Sequence, residues 1–334
     1  NHRKNSHDDI HDDLNALEVT VKDIEASSAY TSSSPDDMEN GVNNRKHKKK
    51  SSIFASRSGH TLEFANVQLS TTTKNPDKKP AKQILKNIHG QFPPSSVTAV
   101  MGPSGSGKTS LLKVLTGRIG ANSKNSKLQL QGAIRLDSDL VDPTEIEVRR
   151  MIAYVEQEVS IPATCTPREA IMFSARLRLD TSHTDHDITT ITTEIIATLG
   201  LEACADTLIG GGPMMSGGLS GGEKKRVQVA VELVTHPEII VLDEPTSGLD
   251  SYSAQNLMEV LKQIADAGAT VIVTIHQPPP PVVRKIDNLL LLLQGRNMYI
   301  GPMDQAEGQF THYGYPKPDD YNIADWILVR NTIV

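Results

Sequence analysis

Three short stretches of this chain carry residues whose types and spacing suit them to chemistry. The first is Gly102-Pro103-Ser104-Gly105-Ser106-Gly107-Lys108-Thr109, with Ser110 behind it, which fits the pattern G-x-x-x-x-G-K-[ST]. Glycines let a backbone wrap closely around phosphate oxygens, where side chains would block the approach. Successive N–H groups and the start of the following helix then face the anion. Lys108 is placed to reach the β- and γ-phosphates of a nucleotide, and the Thr109 hydroxyl to ligate Mg²⁺. The second stretch is Ile239-Ile240-Val241-Leu242-Asp243-Glu244, an apolar run ending in two carboxylates. If the run is a buried strand, its end lies at the sheet edge where ligands of open α/β sheets bind. Asp243 is then suited to hold Mg²⁺, directly or through water, and Glu244 to orient and activate an attacking water. The third is Leu219-Ser220-Gly221-Gly222-Glu223, where a serine and two glycines opening a helix make a second anion site.

Elements that could position these residues follow from periodicity. Thr61–Leu69 and Gln83–Ile88 read as strands joined by a polar insert containing Pro76 and Pro80. Ser96–Met101 reads as a buried strand entering the Gly-rich loop. A helix then starts at about Lys108, with Leu111, Leu112, Leu115 and Ile119 turned inward. Ile152–Glu156 is a further short strand. Pro167 opens a helical stretch, Arg168–Leu179, and a second helix covers Ile188–Leu199. Two near-continuous apolar runs, Ile239–Leu242 and Thr270–Ile275, enclose another helix. Uninterrupted apolar strands alternating with helices imply a parallel sheet covered on both faces.

Composition narrows the rest. Apolar residues make up 37% of the 334 and charged residues 22%, as in a soluble protein carrying some disorder. The net charge of −6 argues against nucleic acid as a partner. Two cysteines, Cys165 and Cys204, are too few for a disulfide framework. No stretch approaches the roughly 20 apolar residues of a spanning helix. The chain opens on Asn1 without a signal-like segment, so a fragment is expected. Residues 1–58 read as a disordered tail, too polar to offset chain entropy by burial. Within the tail, the basic run Arg45–Lys50 and the acidic and histidine residues from His7 to Asp13 read as solvated, and Leu14, Leu17, Val21 and Ile24 read as a weak, transient helical stripe.

The Leu219–Glu223 stretch, followed by Lys224, Lys225 and Arg226, resembles the signature motif of ABC ATPases. Three more matches follow in family order. Gln157 resembles the Q-loop glutamine, which contacts Mg²⁺ and couples to the membrane domain. Ser247-Gly248-Leu249-Asp250 resembles the D-loop, and His276 the switch histidine that touches the γ-phosphate. Finer wording is similar to the G subfamily: Gly221–Arg226, Asp243–Ser251, Thr274–Pro278, Gly301–Tyr313 and Tyr321–Trp326. The resemblance implies a P-loop NTPase of ABC ATPase type. Its architecture would be a mostly parallel core sheet, an antiparallel β subdomain, and a helical subdomain carrying the signature. Residues 59–315 would be the nucleotide-binding domain and 316–334 the start of a linker toward a transmembrane domain. The resemblance further implies ATP and Mg²⁺ as cofactors, with Thr109, Gln157 and Asp243 at the metal and Glu244, His276 and Lys108 catalytic. Ser220 and the N–H groups near Gly221 and Gly222 would cap ATP held by a second such domain, in a homodimer or with a close homologue. The domain would sit on the cytoplasmic face of a membrane, powering translocation. A soluble ABC ATPase without spans, or a subunit docking on a separate membrane protein, stays open. Two departures stand out: Ile327–Arg330 lacks the acidic residue common there, and Val67-Gln68-Leu69 offers no aromatic to stack on adenine. Phe64, nearby, reads as core-facing.

Overall fold

The structure, a computed structural model, describes residues 59–72, 81–121, 127–211, 217–318, 323 and 326. The chain divides into two units, Asn1–Lys50 and Ser51–Val334. The first lies wholly outside the described residues, as do the readings made on the tail, on Pro76 and Pro80, and on residues 327–334.

The second unit contains two sheets. Strands β1 (Leu62–Thr71), β2 (Gln83–Phe92), β4 (Leu128–Leu136) and β5 (Asp139–Leu140) form an antiparallel sheet in the order β2-β1-β4-β5. The core sheet takes β3 (Ser96–Met101), β6 (Ile152–Val155), β7 (Ile239–Leu242), β8 (Thr270–Thr274), β9 (Asn288–Leu293) and β10 (Arg296–Pro302) in the order β10-β9-β3-β8-β7-β6. All of its pairings are parallel except that of β10 with β9. Helices α1 (Lys108–Leu115), α2 (Ile146–Met151), α3 (Pro167–Arg178), α4 (Asp185–Thr198), α5 (Gly221–Leu233), α6 (Ser251–Asp266), α7 (Pro280–Val283) and α8 (Ala306–His312) connect them.

Every residue of β3, β6, β7 and β8 is buried. Because strand side chains alternate in direction, each strand serves two cores. Val97, Ala99, Ile240, Leu242, Val271, Val273, Leu289 and Leu291 belong to a cluster shared with α5 and α6. Val100, Ile239, Val241, Ile272, Leu290 and Leu292 belong to another, shared with α1 and the antiparallel sheet. The parallel sheet covered on both faces, read from the apolar runs, is what forms. Trp326 is also buried in the first cluster, edge-on to Phe310 at 5.5 Å between ring centroids.

Several boundaries moved. α1 ends at Leu115, so Ile119 is not a helical residue, although it still packs against the second cluster. β6 stops at Val155 and leaves Glu156 exposed, and β8 stops at Thr274. β2 runs on to Phe92, four residues past the apolar signal, because β1 pairs with it through Leu62↔Phe92. Cys165 and Cys204 are both free thiols.

Candidate nucleotide site at the core-sheet edge

Strand register assembles the site. Val155 pairs with Leu242, Leu242 with Val273, and Val273 with Ala99. One step toward the C-terminal edge therefore lie Glu156, Asp243, Thr274 and Val100, with the Gly-rich loop just beyond Met101. Parallel strands put these ends on one side of the sheet, so segments far apart in sequence meet there.

The loop leads into α1 through Gly107, whose φ of 106° is disfavoured for a residue with a Cβ. No acidic side chain occupies the first turn of α1, so its N-terminal N–H groups face no carboxylate of their own helix. Lys108 is buried, and its ammonium donates to the carbonyls of Gly102 (2.8 Å) and Pro103 (3.2 Å). Burial lowers its pKa, against the opposing pull of Glu244 and Asp243. The Ser106 hydroxyl is buried with no hydrogen-bond partner. An orphaned donor, a lysine bonded to loop carbonyls alone and an open helix N-terminus together fit a phosphate chain.

Asp243 is the hub of the site. Its Oδ1 accepts from the hydroxyls of Thr109 (3.1 Å) and Thr274 (2.7 Å), and its Oδ2 accepts from Tyr154 (3.3 Å). Burial first, and Asp243 second, push the Tyr154 hydroxyl well above the ordinary tyrosine range, so it stays a donor. Arg118 lies 4.8 Å from the centre of the Tyr154 ring. Glu244 adopts a left-handed backbone, with φ of 46°. Its N–H donates to the Thr274 hydroxyl at 2.7 Å, and its carboxylate accepts from Gln157 Nε2 at 2.9 Å. Thr109, Asp243 and Gln157 offer oxygen donors of the hard kind that Mg²⁺ prefers. Among the described residues there is no cluster of three or more His, Cys, Asp or Glu able to hold a metal. One carboxylate plus nucleotide phosphates is nonetheless an ordinary Mg²⁺ arrangement.

The structure thus joins Lys108, Thr109, Gln157, Asp243 and Glu244. His276 is exposed on the loop after β8, whose preceding residue Ile275 donates its N–H to Val100 at 3.2 Å. Ser220 stands apart and forms a capping box with Glu223. Its hydroxyl donates to Glu223 Oε2 at 2.8 Å, and the Glu223 N–H donates back to that hydroxyl at 3.3 Å. Gly222 is required by packing, since a Cβ there would lie 2.9 Å from Ser253 Cβ. Gly221 lies against the D-loop residues Gly248 and Leu249, and Asp250 caps α6 by accepting from the N–H groups of Tyr252 and Ser253.

Sequence reasoning missed Tyr154, Thr274, Lys225 and Gln228. The last two were detectable in principle. Gly222, Lys225 and Val229 fall on one stripe of α5, with Gln228 one turn beyond Lys225, so polar side chains occupy an inward face.

Residues 85–247 match the family model described as ABC transporter. The ATP-binding protein/permease wht-1 of Caenorhabditis elegans is 42% identical over 255 residues, 76% of this chain and 37% of that protein. ABC transporter G family member 22 of Dictyostelium discoideum is 39% identical over 290 residues, 86% of this chain and 45% of its own length. ABC transporter G family member 13 of Arabidopsis thaliana is 41% identical over 249 residues, 74% and 35% respectively. The chain belongs to the ABC transporters, G subfamily. It carries their ATP-binding domain, a P-loop fold of the ABC type. The chain spans less than half the length of each of these three relatives.

Proposed function

We propose that this domain hydrolyses MgATP at the Lys108–Asp243–Glu244 site to drive a substrate across a membrane. The observation that carries the reading is the hydrogen-bonded chain Thr109–Asp243–Thr274–Glu244–Gln157 at the mouth of the Gly-rich loop. In this reading the loop N–H groups and Lys108 bind the β- and γ-phosphates. Thr109, Asp243 and Gln157 hold Mg²⁺, which when bound neutralises phosphate charge. Glu244 accepts a proton from the attacking water, and His276 contacts the γ-phosphate.

Ser220 has no polar contact with the Gly-rich loop of its own chain among the described residues. This supports a head-to-tail arrangement in which the Ser220 end of α5, capped within its own chain by Glu223, serves ATP on a second copy or a close homologue. No described helix is long and apolar enough to cross a membrane. The relatives are more than twice as long as the segment shared with this chain, and some are named as permeases. A transmembrane domain, with this domain on the cytoplasmic face, is therefore the partner we assign. A cleft of about 670 Å³ offers its seat. It is bordered by Tyr154, Glu156, Phe173 and Leu177, the last two 66% and 68% exposed one turn apart on α3. Nothing favours a soluble ABC ATPase over this assignment.

The test is nucleotide binding and phosphate release by two variants. Lys108→Ala is expected to lose triphosphate binding. Glu244→Gln is expected to bind MgATP while turnover falls by about 10²–10⁴-fold, the usual weight of a general base. Hydrolysis by Glu244→Gln at the parental rate would overturn the assignment.

A further inference from the structure

Lys225 is a buried cation for which the reaction above has no use. It is 5% exposed, one turn into α5, and its three acceptors are all neutral oxygens. These are the Glu156 carbonyl at 3.1 Å, the Gln157 carbonyl in a shorter contact, and Gln228 Oε1 at 3.2 Å. Gln228, itself 6% exposed, turns its amide nitrogen to the carbonyls of Glu156 (3.1 Å) and Glu158 (2.8 Å). Accepting from Lys225 fixes which end of the Gln228 amide faces the segment, so the two side chains form one circuit of five bonds.

The segment they hold has little else to locate it. Glu156, Gln157 and Glu158 are all exposed, so no apolar burial anchors them after β6 ends at Val155. Yet Gln157 must be placed to within a few tenths of an ångström for its Nε2 to meet Glu244 at 2.9 Å. We propose that Lys225 and Gln228 are positioning residues for hydrolysis, clamping the backbone of residues 156–158 so that Gln157 is aimed at Glu244. The clamp rests on the reading of Glu244 given above. It also makes α5 a rigid link, since the helix capped by Ser220 grips the glutamine segment of the same chain. Charge adds to geometry: burial lowers the Lys225 pKa, while Asp243 and Glu244 both pull it up, so the ammonium also lies in the field of the carboxylate pair.

A double-mutant cycle on the full chain tests this, using Lys225→Met, Gln157→Ala and the pair together. Lys225→Met is expected to lower kcat about tenfold and change KM for ATP by less than about twofold, because the loss falls on the reacting arrangement. Adding it to Gln157→Ala should cost nothing more, since the clamp acts through Gln157. Hydrogen exchange of residues 152–160 gives a readout independent of turnover, with exchange in Lys225→Met expected to quicken at least about tenfold. Should Lys225→Met fail to fold, Gln228→Leu is read in the same way. An additive cycle, a loss carried by KM, or unchanged exchange overturns the clamp. Glu244→Gln separates the two claims: if it hydrolyses ATP normally the assignment of Glu244 fails, while exchange still decides whether the clamp exists.

Discussion

Thr274→Val is the sharpest probe of how the acidic pair is held. The Thr274 hydroxyl accepts from the Glu244 N–H at 2.7 Å and donates to Asp243 Oδ1 at 2.7 Å, so one atom joins both carboxylate residues. Valine has nearly the same shape and can do neither. Leaving the Glu244 N–H unpaired costs about 1–3 kcal/mol, and a lost hydrogen bond to a charged group about 1.5–3 kcal/mol. Asp243 Oδ1 keeps Thr109, and the new methyl group enters a buried site, so the net loss of stability should be about 2–4 kcal/mol. For a domain of this size that corresponds to a fall in Tm of roughly 4–16 °C. Turnover should suffer separately. The left-handed backbone at Glu244 is intrinsically disfavoured by about 1–2 kcal/mol, and its N–H bond to Thr274 helps to hold it. A carboxylate displaced by about 1 Å loses up to roughly a hundredfold in rate. Thermal denaturation and initial rates of phosphate release measure the two effects, with Thr274→Ser expected to behave as the parent. If Thr274→Val melts within about 1 °C of the parent and hydrolyses ATP within about twofold of it, the hydroxyl is not the linchpin described.

Two further outcomes follow from other parts of the chain. His60 bridges Asp137 and Glu238 and so ties the β4–β5 turn to the entry of β7; hydrogen bonding to Asp137 raises the His60 pKa, while the same bond lowers that of Asp137. The clasp should therefore stabilise fully between the unfolded values of 3.8 and 6.5 and weaken as pH rises through the folded histidine pKa. His60→Ala should flatten the difference in urea midpoint between about pH 6 and about pH 8.5, and a variant retaining that difference would place the pH response elsewhere. Base selectivity should be weak, because Phe64 is buried and packs on Phe92 at 5.0 Å between centroids, which keeps it from stacking on adenine. Without stacking worth about 1–3 kcal/mol, ATP and GTP should differ by less than about tenfold in competition binding, and a hundredfold gap would refute this.

The Gly-rich loop and the Asp243–Glu244 pair were legible because each is local, a strand end and a few residues after it, whereas Gln157 was read only from its resemblance to the Q-loop glutamine. Parallel register then does the rest, and register follows from apolar runs that need no partner to be recognised. Of the four strands left unread, β9 is itself an apolar run, while β4, β5 and β10 were missed for the opposite reason. In β4, Leu-Gln-Leu-Gln-Gly-Ala-Ile-Arg-Leu leaves its first residues half-exposed or exposed, and it forms because β1 presents Phe64 and Leu62 opposite Ile134 and Leu136. β5 is only two residues long, and β10, beginning Arg-Asn-Met-Tyr, forms on the edge provided by β9. The residues that support the site were hidden in a different way. A lysine and a glutamine one turn apart on a helix ordinarily face water, and only their place beside Gly222 and Val229 on one stripe of α5 marks this pair as inward-facing. The exposed run Glu156–Glu158 creates the demand, and α5 supplies the donors some seventy residues later in the sequence. Sequence motifs therefore identify the groups gathered at the sheet edge far better than the groups that hold them there. The former must present particular atoms at particular spacings along the chain. The latter need only arrive at the right place in space, and any element packed alongside can deliver them.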